Sequence, residues 1–284
     1  MSERHLVRDE RRIGLDDGAR TTLQRWGERG PLLLCVHGMT SSRRSWERLA
    51  TRLAGRFRVA AYDQRGHGDS AFIAGPMSLE RGVRDLQNVA TALDEPIEAY
   101  IGHSWGGAVA IRAGLHSNVE RVAAIDPMIR QVDDTWYGEY LEELSESFAL
   151  TGDDRDRRTR EDYADWAPED VEGKVHAVHA MTVVPIEGLR RENTPQDWDL
   201  REEIARYDRP LWLALADPIG SINDRATLDE VAGRHSPLVK ITAFPGQGHN
   251  LHRTDFDTFA RDLAGFLEAA IPTPSLSSSR SSIS

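Results

Sequence analysis

A serine set between two glycines, Gly102-His103-Ser104-Trp105-Gly106, stands where a short apolar run (97–101) meets a helix-like stretch (108–115). At a sharp strand-to-helix turn a hydroxyl is lifted out of the backbone, and the close approach of the flanking chain demands small residues two positions to either side. The start of the following helix adds free N–H groups and the positive end of its dipole. That is the placement a serine needs to attack a carbonyl carbon. Attack requires a base, and Gly246-Gln247-Gly248-His249 offers His249 on a glycine-flanked loop after the last apolar run. His252 is its neighbour and competitor, but it falls where the closing helix begins. A base of this kind works with a carboxylate behind it, which fixes the imidazole tautomer and stabilises the imidazolium. Asp217, at the end of the 211–215 run, is taken as that acid. Asp126, ending the 122–125 run, has equivalent topology and is the alternative, and Asp224 lies further along the loop from Asp217. Backbone N–H groups of Met39, in His37-Gly38-Met39, and of Trp105 are the expected oxyanion donors; such donors typically contribute about 10²–10³ in rate each.

These residues need a scaffold that brings several strand ends to one edge. Apolar runs at 32–36, 58–62, 97–101, 122–125, 211–215 and 239–244 alternate with helical spacing at 45–53, 79–93, 108–115 and 256–270. The pattern predicts an α/β protein with a mostly parallel central sheet flanked by helices, whose ligands sit at the C-terminal strand ends. Residues 128–208 break the rhythm. They hold no apolar strand and carry 10 basic against 22 acidic side chains, a net −12 within a chain whose total is −11. The expected division is therefore a core of 1–127 and 209–272, a helical insertion at 128–208 and a disordered Ser-rich tail at 273–284. The insertion's Trp136, Tyr137, Tyr140, Trp166 and Trp198 must pack in its own small core or over a cavity beneath it.

The 284 residues suit one large domain or a core plus insertion. Its acidic balance argues against nucleic acid as a partner. The lone Cys35, inside Leu32-Leu33-Leu34-Cys35-Val36, reads as an inert core thiol and excludes disulfides and cysteine-rich zinc sites. The first dozen residues are too charged for a secretory signal, and no run is long enough to span a membrane, so a cytoplasmic protein is expected. No metal or organic cofactor is implied. His176 and His179 share a helix face without a third ligand at recognisable spacing. Oligomeric state is left open.

In order along the chain stand His37-Gly38, Asp63-Gln64-Arg65-Gly66-His67-Gly68-Asp69-Ser70, the Ser104 turn, the insertion, the acid and His249. In these landmarks the chain resembles the α/β-hydrolase superfamily over nearly its whole length before the tail. The resemblance implies the order Ser, Asp, His, which Ser104, Asp217 and His249 satisfy, and a helical cap over the site. In many relatives the acid stands a few residues beyond its strand, whereas Ala216-Asp217-Pro218 puts it at the strand's end, which keeps Asp126 in contention. The Asp63–Ser70 segment is expected to have a structural role, with Arg65 and the glycines shaping a loop near the oxyanion site.

The implied activity is hydrolysis of a carboxylic ester or related small acyl compound. Three alternatives share the fold. One is an aminopeptidase similar to proline iminopeptidases, with Glu139, Glu142, Glu143 and Glu146 holding an amino group. Another is a carbon–carbon bond hydrolase, with Arg190 or Arg191 holding a substrate carboxylate. The third is a ligand receptor. The insertion's charge predicts a preference for neutral or cationic substrates over anionic ones.

Overall fold

The computed structural model describes residues 8–73, 75–130, 142, 144 and 147–271. The described strands form an eight-stranded sheet. They are β1 (Arg8–Gly14), β2 (Arg20–Trp26), β3 (Leu32–Val36), β4 (Arg58–Tyr62), β5 (Ile97–His103), β6 (Arg121–Ile125), β7 (Leu211–Ala216) and β8 (Val239–Phe244). Their order is β1-β2-β4-β3-β5-β6-β7-β8. From β4 to β8 every pairing is parallel, while β1 and β2 run antiparallel at one side.

Side chains of successive strand residues alternate between the faces, so each central strand supplies two cores. Leu32, Leu34 and Val36 join the core under α2 (Leu79–Leu93) and α3 (Trp105–Gly114). Leu33 and Cys35 join the opposite one, under α1 (Glu47–Leu53) and the closing Phe256–Glu268 helix. Burial pushes the Cys35 thiol far above its ordinary pKa, so it stays a thiol.

Between β6 and β7 the described elements are all helical: α4 (Gly152–Asp162), α5 (Pro168–His179), α6 (Val184–Arg191) and α7 (Arg201–Ala205). After β7 come α8 (Arg225–Gly233), the short α9 (Leu251–Thr254) and α10 (Phe256–Glu268). None of the described helices is long and apolar enough to cross a membrane. Trp136, Tyr137, Tyr140 and the 273–284 tail lie outside the described residues.

Strands β1 and β2 are the elements the apolar pattern does not reveal. Arg8-Asp-Glu-Arg-Arg-Ile-Gly14 is an edge strand with one paired side, and of its residues 9–14 only Ile13 is buried. Charge on an open edge discourages pairing with another chain, so polarity here is compatible with a strand. The charges are also used: Glu10 reaches buried Arg43 at 2.6 Å.

Candidate active site

Strands β5 and β6 are adjacent and in register, with His103 opposite Ile125, so the residues just past them, Ser104 and Asp126, are set at the same sheet edge. The Ser104 N–H donates to the Ile125 carbonyl at 3.0 Å, pinning the turn to the next strand. Ser104 has φ 56° and ψ −123°, a backbone region that L side chains rarely adopt. The flanking glycines follow from this turn. A Cβ on Gly102 would collide with the Gly106 carbonyl, and one on Gly106 with the carbonyls of Val36 and His37. Gly106→Ala is therefore expected to destabilise the protein by several kcal/mol or prevent its folding, read as a lowered thermal midpoint and loss of soluble yield.

His249 does not take its carboxylate from Asp217. Its Nδ1 donates to Asp126 Oδ2 at 2.6 Å, and the Asp126 side chain is fully buried. The other Asp126 oxygen accepts from Ser221 Oγ at 2.7 Å and the Ala216 N–H at 3.2 Å, while the Ile222 N–H reaches Oδ2 at 3.3 Å. Those bonds satisfy a buried carboxylate and aim it.

Asp217 instead closes a surface turn. It accepts from the Ile219 N–H at 3.1 Å and the Gly246 N–H at 3.2 Å, and these donors hold its pKa below the ordinary carboxylate value. The loop after β7 is still near the site, but it contributes Ser221 to Asp126 rather than a carboxylate to His249. Asp224 caps α8 through the Thr227 N–H at 2.7 Å.

His252 is buried and has no contact with Asp126; its ring lies 4.3 Å from that of His103. His103 in turn packs 4.6 Å from the His249 ring, and its Nε2–H donates to the His249 carbonyl at 3.0 Å. Burial and its histidine neighbours push the His103 pKa well down, so a neutral ring holds the His249 loop in place. This supporting role was not read from the sequence; the only signal was a histidine directly before the serine.

Met39, with Thr40 and Ser41, lines the same cavity as Ser104 and His249. His37 fixes the start of this loop. Its Nδ1–H donates to the Gly38 carbonyl at 2.8 Å, and its Nε2 accepts from the Gln64 N–H at 2.9 Å. Burial drives the His37 pKa down to about 3, so it serves as a neutral strut. Gln64 belongs to the Asp63–Ser70 segment, which holds this loop through Gln64 rather than through Arg65, whose guanidinium pairs with Asp85 at 3.1 Å. There Asp63 accepts from the Arg43 backbone N–H at 2.8 Å, pairs with its fully buried guanidinium, and takes the Asp69 N–H at 2.9 Å. The backbone N–H of Trp105 opens α3, while its side chain packs against Trp198 at 4.9 Å between ring centroids.

The cavity encloses about 140 Å³. Its walls come from the Met39–Ser41 loop, from Ser104, His103, His249 and Asn250, from Ile222, and from Tyr163, Trp166 and Lys174 of the helical segment between β6 and β7. Arg253 of α9 completes it. Among the described residues no acidic side chain lines it. Arg191 is exposed and pairs with Glu192 at 3.0 Å, and neither it nor the exposed Arg190 reaches this cavity. Glu139, Glu143 and Glu146 lie outside the described residues, and Glu142 is exposed.

A group of ligand-like atoms from Asp63, Asp69 and His176 does converge, but Arg43 already pairs with both carboxylates. His179 bonds Asp156 at 3.0 Å and is not part of that group.

The sequence profile of the alpha/beta hydrolase family matches residues 33–262. The chain is 23% identical to the magnesium-chelatase 30 kDa subunit of Rhodobacter capsulatus over 265 residues, 84% of this chain and 87% of the relative. It is 26% identical to N-formylmaleamate deformylase of Pseudomonas putida over 267 residues, 89% of this chain and 94% of the relative. Among solved structures it superposes on E-2-(acetamidomethylene)succinate hydrolase with a TM-score of 0.75 at 19% identity, covering 93% of this chain and 100% of that one.

Proposed function

Since this chain belongs to the alpha/beta hydrolase family, we propose that it hydrolyses a carboxylic ester or related acyl compound through an acyl-enzyme on Ser104. One observation carries the reading: a strained Ser104 and a His249 already bonded to buried Asp126 line one cavity. Ser104 Oγ attacks the substrate carbonyl while His249 Nε2 takes its proton. The N–H groups of Met39 and Trp105 receive the developing oxyanion. His249 then returns the proton to the leaving alcohol or amine, and Asp126 balances the imidazolium formed on the way. Water, deprotonated by the same imidazole, releases the acid and restores the hydroxyl. Helices α4 and α5 and the turn between them act as a cap, since Tyr163, Trp166 and Lys174 close the cavity from that side.

The names of two relatives, a deformylase acting on an N-formyl compound and a hydrolase of an acetamido compound, are consistent with acyl transfer to water. Binding of a substrate ammonium, as an aminopeptidase requires, finds no carboxylate among the described residues of the cavity. A fluorophosphonate probe tests the proposal by mass spectrometry. The adduct should appear on the peptide carrying Ser104 and vanish in Ser104→Ala; labelling elsewhere, or none, rejects the mechanism.

A further inference from the structure

Arg253 lies in the cavity wall, 6% exposed. Its guanidinium donates to Ser41 Oγ at 3.2 Å and stacks 4.4 Å from the centroid of Trp166. Its Nε has no partner. Among the described residues no carboxylate comes within ion-pair distance of it. Asp170 lies near enough to act on it electrostatically but is bonded by Arg48 at 2.9 Å. Lys174, 8% exposed, faces the same cavity from α5, and its ammonium donates to the Thr40 carbonyl at 2.9 Å and Thr40 Oγ1 at 2.8 Å. The Tyr163 ring lies 5.1 Å from it. Asp170 is thus shared between Arg48 and Arg253 and bonds only the former, so a buried cation is left without an ion-pair contact, which is costly, and desolvation lowers the Arg253 pKa.

We infer that Arg253, assisted by Lys174, forms an anion subsite that binds a carboxylate carried on the acyl part of the substrate, a few bonds from the carbonyl that Ser104 attacks. The guanidinium meets the carboxylate from the cavity wall, where Ser41 Oγ and the Trp166 face hold it in place and shield it from water. Size sets the distance. At about 140 Å³ the cavity is comparable to one that holds a benzene ring, so the acyl group is short.

This runs opposite to the expectation drawn from the insertion's net charge. Many of the acidic groups on α4 and α5 are exposed and already paired, as in Arg157–Asp154, Arg158–Asp162 and Arg160–Glu172. Salt screens such charges over about 8 Å, whereas a cation in the cavity wall acts at contact and at low dielectric. The local cations decide.

The subsite rests on the acyl-enzyme reading, and the test separates the two. Methanol release is measured from monomethyl succinate and from methyl 4-methylpentanoate, whose isopropyl end has the shape of the carboxylate. The wild-type kcat/KM should favour the succinate by about 10-fold or more, the range expected for hydrogen bonds to a charged group. Arg253→Gln should bring the ratio to one or below, Lys174→Met should reduce it, and Arg253→Lys should keep part of it. Turnover of both esters at equal rates, or a preference for the neutral one, overturns the subsite and leaves the nucleophile standing. A preference that survives both Arg253→Gln and Lys174→Met overturns it as well. Calorimetry of monomethyl succinate on the folded Ser104→Ala protein reads the subsite without turnover. Binding that is lost with Arg253→Gln supports it, and absence of binding overturns it.

Discussion

Asp126→Asn is expected to lower kcat/KM on a short ester by about 10⁴-fold, while Asp217→Asn stays within a few-fold of the wild type. The asymmetry follows from the bonds. Asn in place of Asp126 presents an amide that cannot balance an imidazolium and can force the wrong tautomer on His249 through the 2.6 Å contact. The change is isosteric, and Ser221 Oγ and the Ala216 N–H still find an oxygen to bond. The loss therefore appears in rate more than in fold, and the thermal midpoint measured beside the rate confirms it. Asp217→Asn keeps its turn, since an amide oxygen can still accept from Ile219 and Gly246. Equal losses in the two variants, or a larger one at Asp217, would return the acid to the strand β7 end.

The second large effect is expected at Ser104, the proposed nucleophile. Ser104→Ala should reduce kcat/KM by about 10⁴- to 10⁶-fold with little change in stability, because alanine keeps the Cβ and therefore the strain. Ser104→Gly should be as inactive yet more stable, by about 1 kcal/mol, since glycine adopts φ 56° without steric cost. The pair of variants separates what the hydroxyl does from what the turn costs. A Ser104→Gly midpoint below that of Ser104→Ala would mean that the turn is held by something other than its own compression.

Much of this was legible because the sheet's interior must be apolar and its turns must be tight. The sequence runs at 32–36, 58–62 and 239–244 are the observed β3, β4 and β8, residue for residue. Ser104 stood out through Gly102 and Gly106, where a Cβ would collide with backbone, and His249 through a glycine-flanked loop whose Gly246 takes φ 74°. The acid did not. Asp126 and Asp217 both end parallel strands, and β6 and β7 are neighbours in the sheet. Which carboxylate meets the imidazole depends on how the chain turns after each strand. Asp126 sits at φ 35°, with its side chain tucked under the Ser221 loop, whereas Asp217 folds back on its own N–H groups. No spacing rule carries that difference. Arg253 was equally hidden, because a basic residue one turn into a helix after His249 looks like an ordinary surface charge. Its burial arises from Trp166, which approaches from a segment 87 residues earlier in the chain.

On the proposed mechanism Ser104 and Asp126, just past β5 and β6, both precede the helical segment before β7, and His249 alone follows it. A single cut in that excursion would thus divide the catalytic machinery two to one: the amino-terminal piece inert for want of a proton acceptor, the carboxyl-terminal piece for want of anything to deprotonate. The β6–β7 ladder, which runs from Val122 paired with Leu211 to Ile125 paired with Ala214, is the seam along which such pieces would have to rejoin. If the proposed triad operates, competence is tied to the closing of one parallel strand pair, formed between segments far apart in sequence and therefore among the slower contacts to assemble.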